Sequence, residues 1–215
     1  MCRKKFNKNA SFGFELSKLD GSEHVFGVSF PGIEIPESYS YKEFLPPILD
    51  QGAEPICVPC SVSAYLNWRE NLATGSKKDN KIDYHELYGI KTNDGDGMTY
   101  KEALHHLRHN GVSSKVGNLR INEYALVRSS ISLKFALLMN GPCMGALPVF
   151  SDRPEFWKRQ QGDMFYGYHA ISIVGFDKNG FIIRNSWGTG FGKGGYTTIK
   201  YEDFNTFIEL WTIID

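Results

Sequence analysis

The sequence has no surplus of charge of either sign, since its 215 residues include 24 lysines and arginines against 24 aspartates and glutamates. A formal net charge of zero removes the long-range field that would gather nucleic acid, anionic lipid or strongly charged substrates. We therefore expect no nucleic-acid partner. Specificity must come from local contacts.

Long hydrophobic runs are also missing. No stretch approaches the ~20 consecutive apolar residues that a membrane-spanning helix requires. The basic opening MCRKKFNK is not followed by an apolar run of the length found in signal peptides. We therefore expect a soluble protein that has no membrane partner and is not secreted through a signal peptide.

Cysteine is scarce. The four cysteines, Cys2, Cys57, Cys60 and Cys143, are too few and too scattered for a disulfide framework. Such usage fits a reducing compartment, so the thiols are expected to be packing groups or reactive groups. Only Cys57 and Cys60 have the spacing of a motif.

Internal repeats, low-complexity tracts and linkers rich in proline, glycine or serine are absent as well, so a single compact unit is expected. Residues 11–30 show two short alternating runs around Asp20-Gly21, a pattern that predicts a β-hairpin. The segment PGIEIPES that follows is predicted to be extended. Residues 1–35 are therefore interpreted as an N-terminal arm made of a β-hairpin and extended chain.

Two helices are predicted. The first begins at about Cys57, where Pro59 suits the first turn, and it closes on Gly75. Its apolar residues keep helical spacing at Val58, Val62, Tyr65, Leu66 and Leu72. The second lies in TYKEALHHLRHNG and stops at Gly111, with its inward face formed by Ala103, Leu104 and Leu107.

The second half of the chain has a different pattern of apolar residues and glycines. From residue 131 onward, short apolar runs separated by glycine, such as HAISIVGFD and GFIIRNSW, predict mainly antiparallel β-structure. Helices first and strands afterwards favour an α+β protein of two lobes over alternating βαβ units. A cleft between the lobes is the natural place for a site.

Three strings carry residues with recognisable chemistry: DQGAEPICVPCS at 50–61, GYHAISIVGFD at 167–177 and RNSWGTGFGKGGY at 184–196. Together, in the order cysteine, histidine, asparagine, they resemble the papain-like cysteine peptidases over residues 36–215. The resemblance implies a two-lobe papain-like fold, with a helical lobe, an antiparallel β-barrel-like lobe and the active site between them. It also implies a peptide or protein substrate and no cofactor.

The resemblance assigns a role to each matching residue. Cys57 is the nucleophile, His169 its acid/base partner and Asn185 the residue that orients the histidine. Gln51, six residues before the cysteine, donates to the oxyanion together with the backbone N–H of Cys57. Trp187 shields the histidine–asparagine hydrogen bond from water. A helix N-terminus and an imidazolium partner would lower the pKa of the thiol to about 3 to 4.

A substrate pocket is implied less directly. Gly97 is matched to a position that pairs in β-fashion with the substrate backbone. Met98, Ala146 and Ala170 are expected to line the pocket for the side chain two residues before the cleaved bond, with Tyr168 at its base. An apolar or aromatic preference follows.

The sequence also departs from the family. Pro55 and Ile56 replace the usual glycine and serine before the cysteine, and Val58 replaces the usual tryptophan after it. Crowding of the nucleophile by these residues keeps a second hypothesis open, a papain-fold binding or structural protein with weak or no turnover. Glu54 stands where many members carry a disulfide-forming cysteine.

The missing disulfide, missing signal peptide and short arm resemble stand-alone bacterial or viral members. These features predict a cytoplasmic location in the producing cell, with a virus particle as the alternative. Family members commonly carry a long helical inhibitory proregion. Here the arm either adds strands to the β lobe or lies near the cleft and restricts access.

Two further motifs have competing explanations. Cys57-Val-Pro-Cys60 has the spacing of a dithiol redox centre, but that centre needs a preceding strand and DQGAEPI is predicted to be a loop. Cys60 is therefore expected to pack beneath the helix. His105, His106 and His109 invite a metal hypothesis, whereas their position away from the apolar face favours a solvated surface and no metal.

Overall fold

The computed structural model describes residues 13–27, 34–92 and 95–215. The helices are α1 Cys57–Thr74, α2 Tyr84–Gly89, α3 Tyr100–His109 and α4 Ser130–Met139, with short 3₁₀ turns at Lys42–Phe44 and Tyr201–Thr206. The strands are β1 Tyr39–Ser40, β2 Val112–Ser114, β3 Gly117–Leu119, β4 Glu123–Leu126, β5 Cys143–Val149, β6 Gly167–Asp177, β7 Gly180–Arg184, β8 Tyr196–Ile199 and β9 Glu209–Ile214.

Helix α1 has the predicted boundaries. It begins at Cys57 and ends before Gly75, whose φ of 63° is the left-handed conformation that glycine adopts at helix ends. The helix is buried along most of its length. Two hydrogen bonds tie it to β6, because Ser61 Oγ donates to the carbonyl of Ile171 over 2.8 Å and Ser172 Oγ donates to the carbonyl of Ser61 over 3.0 Å. These bonds fix the helix against the strand that carries His169.

Helix α3 is also confirmed. A capping box joins Thr99 to Glu102 at its start, which satisfies N–H groups that would otherwise lack partners. Its buried residues are the three apolar ones that the pattern predicts, Ala103, Leu104 and Leu107, together with Tyr100. The histidines lie on the other side, and His105 and His109 are exposed. Within the described residues no group of three His, Cys, Asp or Glu side chains could hold a metal ion.

The strands form one long antiparallel sheet in the order β4-β9-β5-β6-β7-β8. Strand β1 pairs with Gly175 and Phe176 of β6, beyond the residues that β5 covers, and β2 and β3 form a separate pair. In the β5–β6 register, Ala146 lies opposite Ala170 and Leu147 opposite His169. Strand β7 ends at Arg184, so Asn185 emerges beside β6. The predicted α+β class is confirmed by this arrangement of helices and antiparallel sheet.

Two helices were not predicted. The expectation of β-structure from residue 131 is wrong for its first part, because residues 130–139 form α4. Ser129 caps this helix by accepting from the N–H of Ser132, and Leu133, Ala136 and Leu137 bury one face at helical spacing. Helix α2 begins at Tyr84, after the N-cap residue Asp83, whose carboxylate accepts two backbone N–H bonds.

The N-terminal arm does not pair with itself in the described part. The predicted hairpin covered residues 11–30, of which 11, 12 and 28–30 lie outside the described ranges. Between residues 13 and 27, Phe14 bridges Met98 and Tyr168, while Val25 bridges Leu126. The two halves of the arm separate because their phenylalanines pack in different hydrophobic clusters. Phe14 belongs to the cluster beneath α1 and α3, and Phe26 packs against the cluster between α4 and the sheet.

Nothing in the described helices is both long and apolar enough to cross a bilayer. The core instead forms two clusters, one beneath α1 and α3 and one between α4, the sheet and the C-terminal segment. The sheet strand β6 contributes residues to both clusters. It is therefore the element that joins the two lobes.

Gly141 offers a test of this packing. An added Cβ would lie 2.3 Å from the Trp68 ring at a φ of 106°, whereas at Gly162 (φ 87°) it would meet nothing. We expect Gly141→Ala to lower the free energy of unfolding by about 2 to 5 kcal/mol, the sum of backbone strain and overpacking, and Gly162→Ala by about 1 to 2 kcal/mol. Urea denaturation measures both. Equal losses of unfolding free energy in the two variants would show that the Trp68 ring moves to accommodate the added methyl group.

Candidate active site

Cys57 is the first residue of α1. Ile56 precedes it without a side-chain cap, and the first turn contains no acidic residue. The positive end of the helix dipole therefore falls on the cysteine. The thiol faces the backbone N–H of Ala170, the residue that follows His169. Helix α1 and strand β6 thus bring the predicted nucleophile to the predicted base.

His169 and Asn185 are joined directly. The distance between His169 Nε2 and Asn185 Oδ1 is 2.7 Å, and both side chains are buried. An amide oxygen only accepts, so Nε2 carries the hydrogen and Nδ1 is the nitrogen left for proton exchange in the cleft. The N–H of Ser186 also donates to Asn185 Oδ1 over 2.8 Å. The asparagine is therefore held in one orientation, and with it the ring.

Aromatic rings cover this pair. Trp187 stacks on His169 with ring centroids 4.5 Å apart and planes 30° apart. Phe156 lies 5.0 Å from Trp187 and 5.9 Å from His169, and Phe191 lies 5.2 Å from Trp187. Sequence reasoning singled out Trp187 but missed both phenylalanines. The signal at Phe156 is an aromatic pair, Phe156-Trp157, isolated in the polar segment SDRPEFWKRQQGD.

Gln51 connects the cysteine loop to the asparagine loop. Its backbone N–H donates to the carbonyl of Ser186 over 2.8 Å, and its Oε1 accepts from Ser186 Oγ. One hydrogen of its amide Nε2 goes to the carbonyl of Glu54, 2.8 Å away. Since the amide nitrogen has two hydrogens, one remains for an oxyanion. The side chain is buried next to the triad segments, as the predicted role requires.

The expected low thiol pKa does not hold in this state. Burial raises the pKa of Cys57 to about 12, because a thiolate without water is costly, and the backbone N–H groups of Ala170 and Val58 oppose this only partly. Burial likewise raises the pKa of Cys60 well above its ordinary value. The fully buried Cys57 is therefore a neutral thiol at neutral pH.

The redox hypothesis receives no support from the local structure. Residues 51–56 form turns and irregular chain, with Asp50 bridged to Trp187, rather than the strand that a dithiol centre needs. Cys57, Cys60 and Cys143 are free thiols. Cys60 is buried on α1, as the packing interpretation predicts.

The residues that replace the family pattern around the cysteine pack inward. Ile56 is 6% exposed and Val58 is fully buried in the core cluster beneath α1. Pro55, in contrast, contacts the arm, since a Cβ on Gly13 would lie 2.1 Å from the Pro55 carbonyl oxygen.

Gly97, the predicted contact for a substrate backbone, lies next to Met98, whose backbone bonds the N-terminal arm. Met98, not Gly97, offers both backbone groups, accepting from Glu15 N over 3.0 Å and donating to the carbonyl of Gly13 over 2.9 Å. Gly97 allows the close approach, because a Cβ there would come within 2.6 Å of Glu15 Cγ.

The side chains predicted to line the pocket meet in one buried cluster. Met98, Ala146 and Ala170 are buried in one cluster, and Tyr168 packs against it. Sequence reasoning missed Tyr100, which is fully buried and donates its hydroxyl to the carbonyl of Gly145 over 2.9 Å. Such a lining suits an apolar or aromatic side chain.

Comparison with known proteins identifies the family of this chain. The family model described as papain family cysteine protease matches residues 58–209. Cysteine proteinase 3 of Entamoeba histolytica is 25% identical over 204 residues, covering 79% of this chain and 64% of the relative. A cathepsin L-like proteinase of Fasciola hepatica is 27% identical over 139 residues, covering 60% of this chain and 41% of the relative. The chain thus spans less than two thirds of these relatives' length.

Solved structures show the same fold at lower identity. Xylellain, a cysteine protease from Xylella fastidiosa, superposes with a TM-score of 0.80 at 19% identity, covering 99% of this chain and 98% of that one. The procathepsin B of Trypanosoma congolense superposes with a TM-score of 0.75 at 18% identity, covering 97% of this chain and 89% of that one. At these identities the likeness concerns the fold, which is the predicted papain-like one.

Proposed function

The chain belongs to the papain family of cysteine proteases, and from that premise we propose that it hydrolyses peptide bonds through an acyl-enzyme on Cys57. The observation that carries the proposal is the 2.7 Å bond between His169 Nε2 and Asn185 Oδ1. This bond leaves Nδ1 for proton exchange at the start of α1, where Cys57 lies. A role in protein processing is part of the proposal.

In the first step, His169 Nδ1 takes the proton of the Cys57 thiol, and the sulfur attacks the substrate carbonyl carbon. The carbonyl π pair moves onto oxygen. The backbone N–H of Cys57 and the amide of Gln51 stabilise this oxyanion. When the pair returns, the C–N bond breaks and the imidazolium gives its proton to the leaving amine.

In the second step, water attacks the thioester carbon while His169 Nδ1 accepts a proton from it. Collapse of the second tetrahedral intermediate breaks the S–C bond, releases the carboxylic acid and returns the proton to the thiolate. Throughout both steps Asn185 holds Nε2, and Trp187 keeps water from that hydrogen bond. The buried His169–Asn185 pair therefore needs no reorganisation during the cycle.

The pocket lined by Met98, Ala146, Ala170 and Tyr168 supports a preference for substrates with an apolar or aromatic side chain two residues before the cleaved bond. Because the pocket side chains carry no charge, a lysine or arginine there would lose hydration without gaining a partner. We therefore propose peptides with phenylalanine at that position as the first substrates to assay.

A thiol-directed epoxide tests the proposal. After incubation over hours, the probe should add its mass to Cys57 in the unsubstituted chain and in Cys60→Ala, and to nothing in Cys57→Ala, because only the activated thiolate reacts. Cys60→Ala is the matched control on the same helix. A label that survives Cys57→Ala and disappears in Cys60→Ala would contradict the assignment. No label in any variant would favour the papain-fold binding protein.

A further inference from the structure

A cavity of about 280 Å³ lies beside Asn185 and is separate from the cleft in which the proposed function places a peptide. Its walls come from α1, from β6, from residues 46–49 and from the segment around Asp79 that leads into α2. Cys57, His169 and Trp187 do not line it. A molecule in this cavity would therefore contact the asparagine without occupying the substrate site.

The amide of Asn185 has an unused donor at the cavity. Its Oδ1 accepts from the N–H of Ser186 and lies 2.7 Å from His169 Nε2. The side chain is 3% exposed, and its Nδ2 has no hydrogen-bond partner among the residues that the structure describes. A buried donor without a partner is costly. The amide therefore favours an occupant that carries acceptor atoms.

The guanidinium of Arg184 brings a positive charge to the same wall. Arg184 is 8% exposed, and its Nη1 donates to the Tyr196 hydroxyl over 3.0 Å while Nη2 donates to the carbonyl of Pro47 over 2.8 Å. Three of its five N–H groups are left for other acceptors. None of the ion pairs in the described part of the chain involves Arg184. Since buried charges are normally paired, Arg184 favours an anionic occupant.

The other ionisable groups of the lining do not supply that anion. Asp79 accepts from Lys81 Nζ over 2.9 Å and from the N–H of Lys81 over 3.0 Å, so these two charges offset each other. Burial raises the pKa of the Cys60 thiol and of the Tyr84 phenol, and both are neutral at neutral pH. The cavity therefore has a net positive charge, which belongs to Arg184.

Much of the remaining wall is apolar. Ile48, Leu49, Ala64 and Ile171 all line the cavity. These side chains offer nothing to a hydrated inorganic ion, whereas a short hydrocarbon chain against them leaves water. The volume is at the lower end of that of ligand pockets, which suits a molecule of a few carbon atoms.

We propose that this cavity is a binding site for a small aliphatic carboxylic acid, whose carboxylate accepts from Arg184 and from Asn185 Nδ2 while its hydrocarbon chain lies against Ile48, Leu49 and Ala64. A carboxylate accepts several hydrogen bonds and matches the fork of a guanidinium. The occupant contacts the residue that holds His169, from outside the substrate cleft. The site itself does not depend on turnover at Cys57.

The first test uses butyrate and its neutral analogue butyramide, which have the same number of non-hydrogen atoms. Saturation-transfer NMR should detect butyrate bound to the unsubstituted chain with a Kd in about the millimolar range, and butyramide at least about tenfold more weakly. Sodium sulfate at equal ionic strength should not displace butyrate. In a ¹⁵N-labelled chain, butyrate should shift the side-chain amide resonance of Asn185.

Variants locate the site. Arg184→Gln removes the charge and should weaken butyrate binding by about tenfold or more. Arg128→Gln is the matched control, because Arg128 is exposed and does not line the cavity, and its Kd should stay within about twofold. Asn185→Asp is an isosteric second variant in which an anionic acceptor replaces the donor, so butyrate binding should be lost. Circular dichroism confirms that each variant is folded.

The outcomes separate this site from the proposed function, because no measurement involves a peptide. Absence of butyrate binding to the unsubstituted chain would overturn the site, as would equal binding of butyramide or displacement of butyrate by sulfate. An unchanged Kd in Arg184→Gln or Asn185→Asp would overturn it too, since butyrate would then lie elsewhere. Butyrate binding with the predicted losses in a chain that hydrolyses no peptide would support the site and contradict the proposed function.

Discussion

Replacement of His169 by alanine is expected to lower kcat/KM for a peptide substrate by about 10⁴- to 10⁶-fold, the range seen when a base that acts as a unit with its nucleophile is removed. Without the ring, nothing takes the thiol proton or protonates the leaving amine. His105→Ala is the matched control, because His105 lies on the exposed face of α3 and should leave the rate unchanged. Initial rates under pseudo-first-order conditions measure both.

The pH profile of the His169→Ala variant gives a second reading. Burial raises the pKa of Cys57 to about 12, and only the thiolate reacts. The Cys57 thiol therefore loses its proton only as the pH rises toward that value. The rate of alkylation should increase steadily from about pH 7 to 10 without a plateau. A profile that levels off below about pH 8 would show another group activating the thiol and would contradict the role given to His169.

The Gln51→Ala variant is expected to show the second large loss of activity. Loss of one oxyanion donor is expected to lower kcat by about 10²- to 10³-fold with little change in KM, because the amide stabilises charge that develops only in the transition state. Alkylation of Cys57 by iodoacetamide forms no oxyanion, so its rate should stay near that of the unsubstituted chain.

The structural role of Gln51 requires its own control. Ser186→Ala removes the hydroxyl that donates to Gln51 Oε1 but keeps the amide Nε2. We expect a loss of about tenfold or less from this variant. If Gln51→Ala slowed alkylation as much as hydrolysis, or if Ser186→Ala matched it, the glutamine would act through packing of the loop.

The site residues were predictable because their signal is local. Gln51 precedes Cys57 by a fixed step, and the strings around His169 and Asn185 are short and distinctive. Helix α1 could be bounded from sequence since its start and its glycine stop are encoded in neighbouring residues. The catalytic roles themselves stay predictions until the variants are measured.

The destination of the arm could not be predicted. Alternation around Phe14 indicates that one face of the segment is buried, but periodicity does not say against what. The partner, Met98, lies 84 residues away along the chain. Tertiary packing decides that partner, and no local residue pattern encodes it.

The thiol pKa shows a different limit. The helix N-terminus at Cys57 was predicted correctly from the sequence, yet the pKa of the thiol depends on solvent access as well. Burial reverses the expected direction of the pKa shift at Cys57. A cytoplasmic location, with a virus particle as the alternative, stays a prediction.

The central claim is the acyl-enzyme on Cys57, and acid-quench trapping tests it most directly. An activated phenylalanine ester, mixed with the chain and quenched in acid within its first turnovers, should leave a thioester whose added mass equals the acyl group. Peptide mapping should place it on Cys57, and Cys57→Ala should carry none. An adduct on Cys60, or continued hydrolysis by Cys57→Ala, would contradict the account.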